Sequence, residues 1–259
     1  MGSDQDASTG QTSQHHSLYE PLGPNDFRLL EISPSRDGEQ QELHCNLKIW
    51  NLDSPPKYEA LSYAWGNNTC PREILLNGDV FPVTHNLYTA LRRLQSRDSC
   101  WTPLWVDQIC INAEDNSEKY QQIRHMNRIY EKASSVIVWL GDVQETDGDD
   151  LTLKQILQSA SDTRAFYAVV YKQGHSRIWR ALGHIYSNSW FSRLWTYQEI
   201  TLARDVRLLF NGFETTLKQL KTIHSRMEAL AESYALLSLD IFQDGVEEES
   251  TVPTYSRNN

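Results

Sequence analysis

Leu104-Trp105-Val106-Asp107-Gln108-Ile109-Cys110-Ile111-Asn112, an amphipathic run to Ala133, then Val136-Ile137-Val138-Trp139-Leu140-Gly141: this stretch decides the fold. Leu104–Val106 is a short apolar run stopped by Asp107, the pattern of a buried strand. From Gln121 to Ala133, apolar residues fall at Ile123, Met126, Ile129, Tyr130 and Ala133, a spacing that lines one helix face. Asp115 and Ser117 are candidate N-caps ahead of it. Val136–Leu140 is nearly unbroken β-branched and apolar sequence closed by a glycine, as expected of a strand covered on both faces. The stretch therefore predicts a right-handed βαβ unit. In open parallel sheets ligands bind beyond the carboxyl ends of strands. Asp107, Gln108, Cys110 and Asn112 occupy such a position. They read either as site residues or as a turn whose side chains cap the backbone, and for Asn112 the capping role is favoured.

Upstream, Phe27–Ile32 and the alternating Leu43–Trp50 predict two strands joined through the turn-rich Ser33–Gly38. Ala60–Trp65 predicts a central strand, ended by Gly66 where a tight turn or ligand approach needs no side chain. Glu73–Leu76 and Val80–Val83 flank Asn77-Gly78, the signal for a two-residue hairpin. Thr84 should cap the helix through Leu87, Leu91 and Leu94. Downstream, Leu151–Val170 and Ile178–Ile185 have helical spacing. Ser189–Ala203 predicts one helix capped by Ser189 or Ser192. Val206–Phe210 predicts a strand closed by Asn211-Gly212, and Thr216–Leu237 a further helix. Residues 1–17 are polar, with no apolar period, and predict disorder. Residues 18–243 are expected to form one domain with its motif core at 58–212, and residues 244–259 an acidic linker or frayed end.

Composition narrows the function. A net charge of -10 over 259 residues, with no basic run, argues against nucleic acid as a partner. No apolar stretch approaches the ~20 residues of a membrane span. The N-terminus lacks a secretion pattern, so the expected location is cytoplasmic. The four cysteines Cys45, Cys70, Cys100 and Cys110 have no metal-ligand spacing and are expected as reduced thiols. Cys110 reads as a nucleophile or, more commonly for such a thiol, as a small buried hydrophobe. His15 and His16 lack a partner cluster, so no metal is expected. No Gly-rich phosphate loop and no nucleophile elbow occurs.

Three tracts hold the candidate chemistry: Tyr58–Gly66, Leu104–Asn112 and Arg193–Glu199. Glu199 follows Trp195 by one helical turn. A carboxylate among aromatic rings is desolvated, which raises its pKa and suits acid–base or cation-stabilising work. Arg193 opposes that shift. The alternative is a structural ion pair, which the residues alone favour.

These tracts resemble the heterokaryon-incompatibility (HET) domain of filamentous fungi. The resemblance rests on Tyr58–Gly66, on Leu104–Asn112 continuing through Glu118, Lys119, Gln122, Met126, Ile129 and Tyr130 to Val138–Gly141, and on Arg193-Leu194-Trp195-Thr196-Tyr197-Gln198-Glu199. Tyr19–Leu22 and Phe27–Ile32 resemble the family's N-terminal edge. Ala113 departs from the family, which often has Gln there. HET domains are implicated in cell death after non-self fusion and are similar to TIR domains. The resemblance implies an α/β fold: a TIR-like, flavodoxin-type, doubly wound, mostly parallel sheet with helices on both faces and an N-terminal β-hairpin extension. It implies that Trp195–Glu199 is similar to the TIR helix whose glutamate cleaves NAD, which makes Glu199 the catalytic residue. Tyr63, Trp65, Gly66, Asp107, Cys110, Asn112, Arg193 and Trp195 become candidates for binding substrate. The implied function is a cell-death effector that hydrolyses NAD, a substrate rather than a cofactor, to nicotinamide and ADP-ribose as a homo-oligomer. The alternative is a non-enzymatic module that signals by self-association.

Overall fold

The computed structural model describes residues 18–34, 42–66, 71–96, 102–142 and 149–244, with backbone alone for 149–150 and 234–244. The tract holding His15 and His16, the tip of the Ser33–Gly38 turn, Cys70, Cys100, most of the acidic loop after Gly141 and the tail beyond 244 lie outside the described residues. The first strands are β1 (Asp26–Ile32), β2 (His44–Asn51), β3 (Glu59–Tyr63), β4 (Arg72–Leu76) and β5 (Asp79–Val83). After α1 (His85–Gln95) come β6 (Leu104–Trp105), α2 (Asp107–Cys110), α3 (Asn116–Lys132) and β7 (Ser135–Trp139). Helices α4 (Asp149–Ser159), α5 (Thr163–Gln173), α6 (His175–Tyr186) and α7 (Thr196–Thr201) precede β8 (Val206–Phe210), β9 (Phe213–Thr216) and α8 (Leu217–Asp244). The chain divides into two compact units, Met1–Glu59 with Gly66–Lys132, and Ala60–Trp65 with Ala133–Asn259.

In the first unit the strand order is β5-β4-β2-β1-β6. β1 is central and buried along most of its length, whereas β2 alternates less cleanly and keeps Lys48 and Ile49 exposed. They pair antiparallel from Asp26↔Asn51 to Ile32↔Cys45, the expected N-terminal hairpin pairing. Asn77 and Gly78 adopt φ of 54° and 93°, the left-handed backbone of the primed turn read from Asn-Gly. Thr84 Oγ1 accepts from Leu87 N at 3.2 Å and caps α1. Asp115 Oδ1 accepts from Ser117 N and Glu118 N at 2.8 and 3.1 Å and caps α3. Leu104, Trp105 and Val106 are buried; each large apolar side chain so enclosed contributes about 1.5–3 kcal/mol.

In the second unit the order is β3-β7-β8-β9. Every residue of β7 is buried, as its composition predicts. β7 pairs parallel with β8 from Val136↔Val206 to Trp139↔Leu209, so a parallel crossover runs through α4–α7. Asn211 and Gly212, at φ 43° and 74°, turn β8 back into β9. Thr216 and Gln219 then cap α8 reciprocally: Gln219 N donates to Thr216 Oγ1 and Thr216 N to Gln219 Oε1.

The chain is α/β with a mixed sheet: β1–β2, β1–β6, β4–β5 and β8–β9 are antiparallel, while β2–β4 and β7–β8 are parallel. Three expectations are corrected. Helix Leu151–Val170 is two helices, because Asp162 Oδ1 captures Arg164 N and Ala165 N and starts α5 afresh. Thr216 belongs to β9, and the helix begins after it. Ser189–Ala203 is not one helix. Asn188, neither serine, caps a 3-10 turn over Ser189–Ser192, Arg193 is extended, and only Thr196–Thr201 is α-helical.

Candidate functional site

The break at Arg193 builds the site. An unbroken helix would project Arg193 from its side; the extended residue instead sends its guanidinium to β3. Its Nη1 donates to the Tyr63 carbonyl, and its Nη2 lies 3.8 Å from Glu199 Oε1. Thr196 Oγ1 donates to the Arg193 carbonyl at 2.7 Å and fixes the bend. Glu199 sits in the first turn of α7, where the helix N-terminus favours negative charge.

The carboxylate is only 2% exposed. An ionised group so enclosed requires partners. Besides Arg193 it has Ser62, whose hydroxyl donates to Glu199 Oε2, while Ser62 Oγ in turn accepts from Trp190 Nε1 at 2.7 Å. A polar relay therefore runs Trp190 to Ser62 to Glu199 to Arg193 to the end of β3. Neighbouring hydrogen bonds of this kind polarise one another in a low-dielectric interior. Large apolar side chains near these residues in sequence are exposed: Trp65 and Trp195 are each 50% exposed, Tyr197 72% and Leu194 88%. The arrangement holds a buried carboxylate between a serine hydroxyl and a partly exposed arginine.

Of the residues read from sequence, the structure brings Tyr63, Arg193 and Glu199 together. Tyr63 takes part through its carbonyl, for its side chain is buried. Ser62 and Trp190 are additions. Ser62 carried a signal, as a serine hydroxyl inside the apolar run Ala60–Tyr63 must find a buried partner. Trp190 carried none, because nothing in its local pattern marks its indole N–H.

Asp107, Cys110, Asn112 and Gly66 belong to the other unit. Asp107 opens the single turn α2, and its Oδ1 accepts from Gln108 N at 2.7 Å. Cys110 is fully buried; its sulfur accepts from Val106 N at 3.3 Å, and burial pushes the thiol up to about 12. It is therefore a neutral core thiol at physiological pH. Asn112 Oδ1 accepts from Glu114 N, and its own N–H donates to Glu118 Oε1 at 2.8 Å, the backbone-capping role. Gly66 holds φ 70°, a conformation that favours glycine. This segment is tied down by a pair that sequence did not single out. Arg28 grips Glu118 bidentately at 2.6 and 2.9 Å, both buried, and also donates to the carbonyls of Cys110 and Glu20. Tyr19 lies under the guanidinium, 4.8 Å from ring centre to Cζ, and donates to the Ile109 carbonyl.

Comparison with known proteins now bears on this arrangement. The family model described as heterokaryon incompatibility protein (HET) matches residues 58–199, more than half of the chain. The chain belongs to the HET family. The match opens at Tyr58, four residues before Ser62, and closes at Glu199, so this HET segment contains the whole relay. The chain is also 29% identical over 273 residues to heterokaryon incompatibility protein 6, OR allele, of Neurospora crassa. That alignment takes in 89% of this chain and 38% of the relative's length. No solved structure matches the chain.

Proposed function

We propose that residues 18–243 act as a single HET domain, a cell-death effector of fungal non-self recognition that hydrolyses NAD to nicotinamide and ADP-ribose when assembled. The observation that carries the reading is the Glu199 carboxylate, buried and turned onto Ser62 and Arg193. Breaking the nicotinamide–ribose bond builds positive charge at the anomeric carbon. A carboxylate preorganised in a water-poor site stabilises that charge or orients the ribose hydroxyls. Ser62 holds one carboxylate oxygen, and Arg193 faces the other from a position that is a quarter exposed. Swinging Arg193 aside uncovers Oε1 without disturbing Ser62, and the guanidinium is then placed to meet the pyrophosphate. Trp65 and Trp195 supply faces for the nicotinamide or adenine. The resemblance of the sequence Trp195–Glu199 to the catalytic TIR helix supports the same assignment. The test is nicotinamide release from NAD by the purified chain across a concentration series, with Glu199→Gln beside it. Turnover that rises with assembly and is lost in the variant supports the reading.

A second reading has an observation of its own. Phe191, Leu194, Trp195 and Tyr197 leave an exposed apolar run on the Arg193 segment, a feature that marks interaction surfaces. In that reading the domain signals by self-association and Glu199–Arg193 is a structural pair. Leu194→Asp then abolishes both assembly by light scattering and cell killing, while no nicotinamide forms with any variant.

A further inference from the structure

Among the described residues, the register of the first unit leaves half of β2 without a strand neighbour on one side. In the β1–β2 ladder the even-numbered residues of β2 bond to β1, as shown by Ser33 N to His44 O at 2.9 Å and the same register along the strand. The odd-numbered residues face the other way. There Leu43 O and Cys45 O accept from Leu75 N and Asn77 N. The β2–β4 pairing ends at Cys45↔Leu76, and the Asn77 side chain takes over the next position by accepting from Leu47 N at 2.8 Å. Beyond that cap no described strand pairs with the Leu47 carbonyl, with either backbone group of Ile49, or with the Asn51 N–H. They form an open edge about 13 Å long at ~3.3 Å per residue.

A cavity of about 600 Å³ follows this edge. Leu47, Lys48, Ile49 and Trp50 all line it, together with Arg28, which pairs with Ile49 across the ladder, so the cavity follows the open edge and extends over the face that carries Leu47 and Ile49. Leu18 and Glu20 bound it on one side and Asn77 and Asp79 on another. Two further features define what fits. Trp50 Nε1 is buried and has no acceptor among the described residues, and an unmet buried donor is costly. The cations at the cavity are already spent, Arg28 on Glu118 and Lys48 on Glu31 at 2.7 Å. The carboxylates of Glu20 and Asp79 have no partner among the described residues, on a chain of net charge -10.

We propose that this groove is a strand-addition site for an extended basic peptide. The peptide's backbone bonds the N–H and C=O of Ile49 and gives a carbonyl to Trp50 Nε1. Its apolar side chains rest on Leu18, Leu47 and Ile49, and its lysines or arginines face Glu20 and Asp79. Such an edge is otherwise an aggregation hazard, and a flanking lysine and a side-chain cap are the blunting devices already present.

The probe is a fluorescein-labelled peptide of alternating lysine and valine, titrated against the full chain by fluorescence anisotropy. Controls are the fully N-methylated peptide, which keeps the charge and loses every backbone donor, and an alternating glutamate–valine peptide. Ile49→Pro deletes only an edge N–H, one that no β1 ladder bond uses, as edge strands tolerate. Trp50→Phe removes the indole donor and keeps a ring, so one variant remains informative if the other folds poorly. The proposal expects saturable binding to the lysine–valine peptide, at least about tenfold weaker with either control and with each folded variant, and slower hydrogen exchange of the Ile49 amide on binding. Equal binding of the N-methylated or acidic peptide overturns it, as does unchanged binding to both variants. An Ile49 amide protected without peptide, and freed by deleting residues 1–17, assigns the groove to the chain's own segment and overturns it too. A concentration-dependent dimer lost in Ile49→Pro assigns it to a second copy, with the same consequence.

Discussion

Replacing Ser62 with alanine probes the relay at its centre. The hydroxyl accepts from Trp190 Nε1 at 2.7 Å and donates to Glu199 Oε2, and all three side chains are buried. Removing one oxygen leaves a space too small for a replacement water, which needs roughly 10–15 Å³ and several polar partners. The indole N–H then loses its acceptor, at about 1–3 kcal/mol, and the carboxylate loses a charge-assisted donor, at about 1.5–3 kcal/mol. The two terms share one atom and do not add fully, so the expected destabilisation is about 3–4 kcal/mol. With a urea slope of roughly 2–3 kcal/mol per molar, the midpoint falls by more than about 1 M. Trp190→Phe removes the indole donor separately, so in that background Ser62→Ala should cost at least about 1 kcal/mol less. Equilibrium urea unfolding of the four proteins measures both quantities. A Ser62→Ala change within about 0.5 kcal/mol, or no coupling to Trp190, refutes the relay.

Two further outcomes follow from the first unit. Arg28→Met leaves Glu118 buried without its bidentate partner and should cost about 3–5 kcal/mol by urea unfolding, whereas the Arg28→Met/Glu118→Leu double variant should recover much of it; a single variant as stable as wild type contradicts the pairing. The thiols of Cys45 and Cys110 are each pushed up to about 12 by burial. Both should resist a thiol reagent at pH 8 until the protein unfolds. Because the native state holds those protons to higher pH than the unfolded chain, each thiol should lower stability by about 1.4 kcal/mol per pH unit between pH ~9 and ~12. Rapid labelling of either residue in folded protein, followed by mass spectrometry, contradicts the burial.

Elements with a strong local signal were legible. Asn77-Gly78 could serve only a left-handed turn, Asp115 and Thr84 stood where caps belong, and β7 announced itself by an unbroken apolar run. Glu199 and Arg193 were legible as neighbours because both lie in the one short tract Arg193–Glu199. The misreadings come from tertiary partners that sequence does not show. Arg193 leaves the helix because its guanidinium is drawn to the Tyr63 carbonyl, 130 residues away in sequence. The antiparallel pairing of β6 with β1 joins Leu104 to Leu30, and no local pattern specifies a strand's partner. Arg28 passed unnoticed inside an apolar strand for the same reason: its Glu118 lies 90 residues on. Trp195, named from the HET resemblance as a candidate for binding substrate, is left half exposed by the structure.

The most direct test of the central claim is nicotinamide and ADP-ribose release from NAD by wild type and Glu199→Gln, with melting temperatures taken on the same samples. Glutamine retains an oxygen for the Ser62 hydroxyl, and Arg193 keeps the Tyr63 carbonyl, so the variant should stay folded. The account predicts turnover by the assembled wild type and a fall of about two orders of magnitude or more in the variant, a loss of ~3 kcal/mol in transition-state stabilisation. A folded Glu199→Gln protein that cleaves NAD at the wild-type rate contradicts it. So does a wild-type protein that assembles without releasing nicotinamide while the variant merely melts lower.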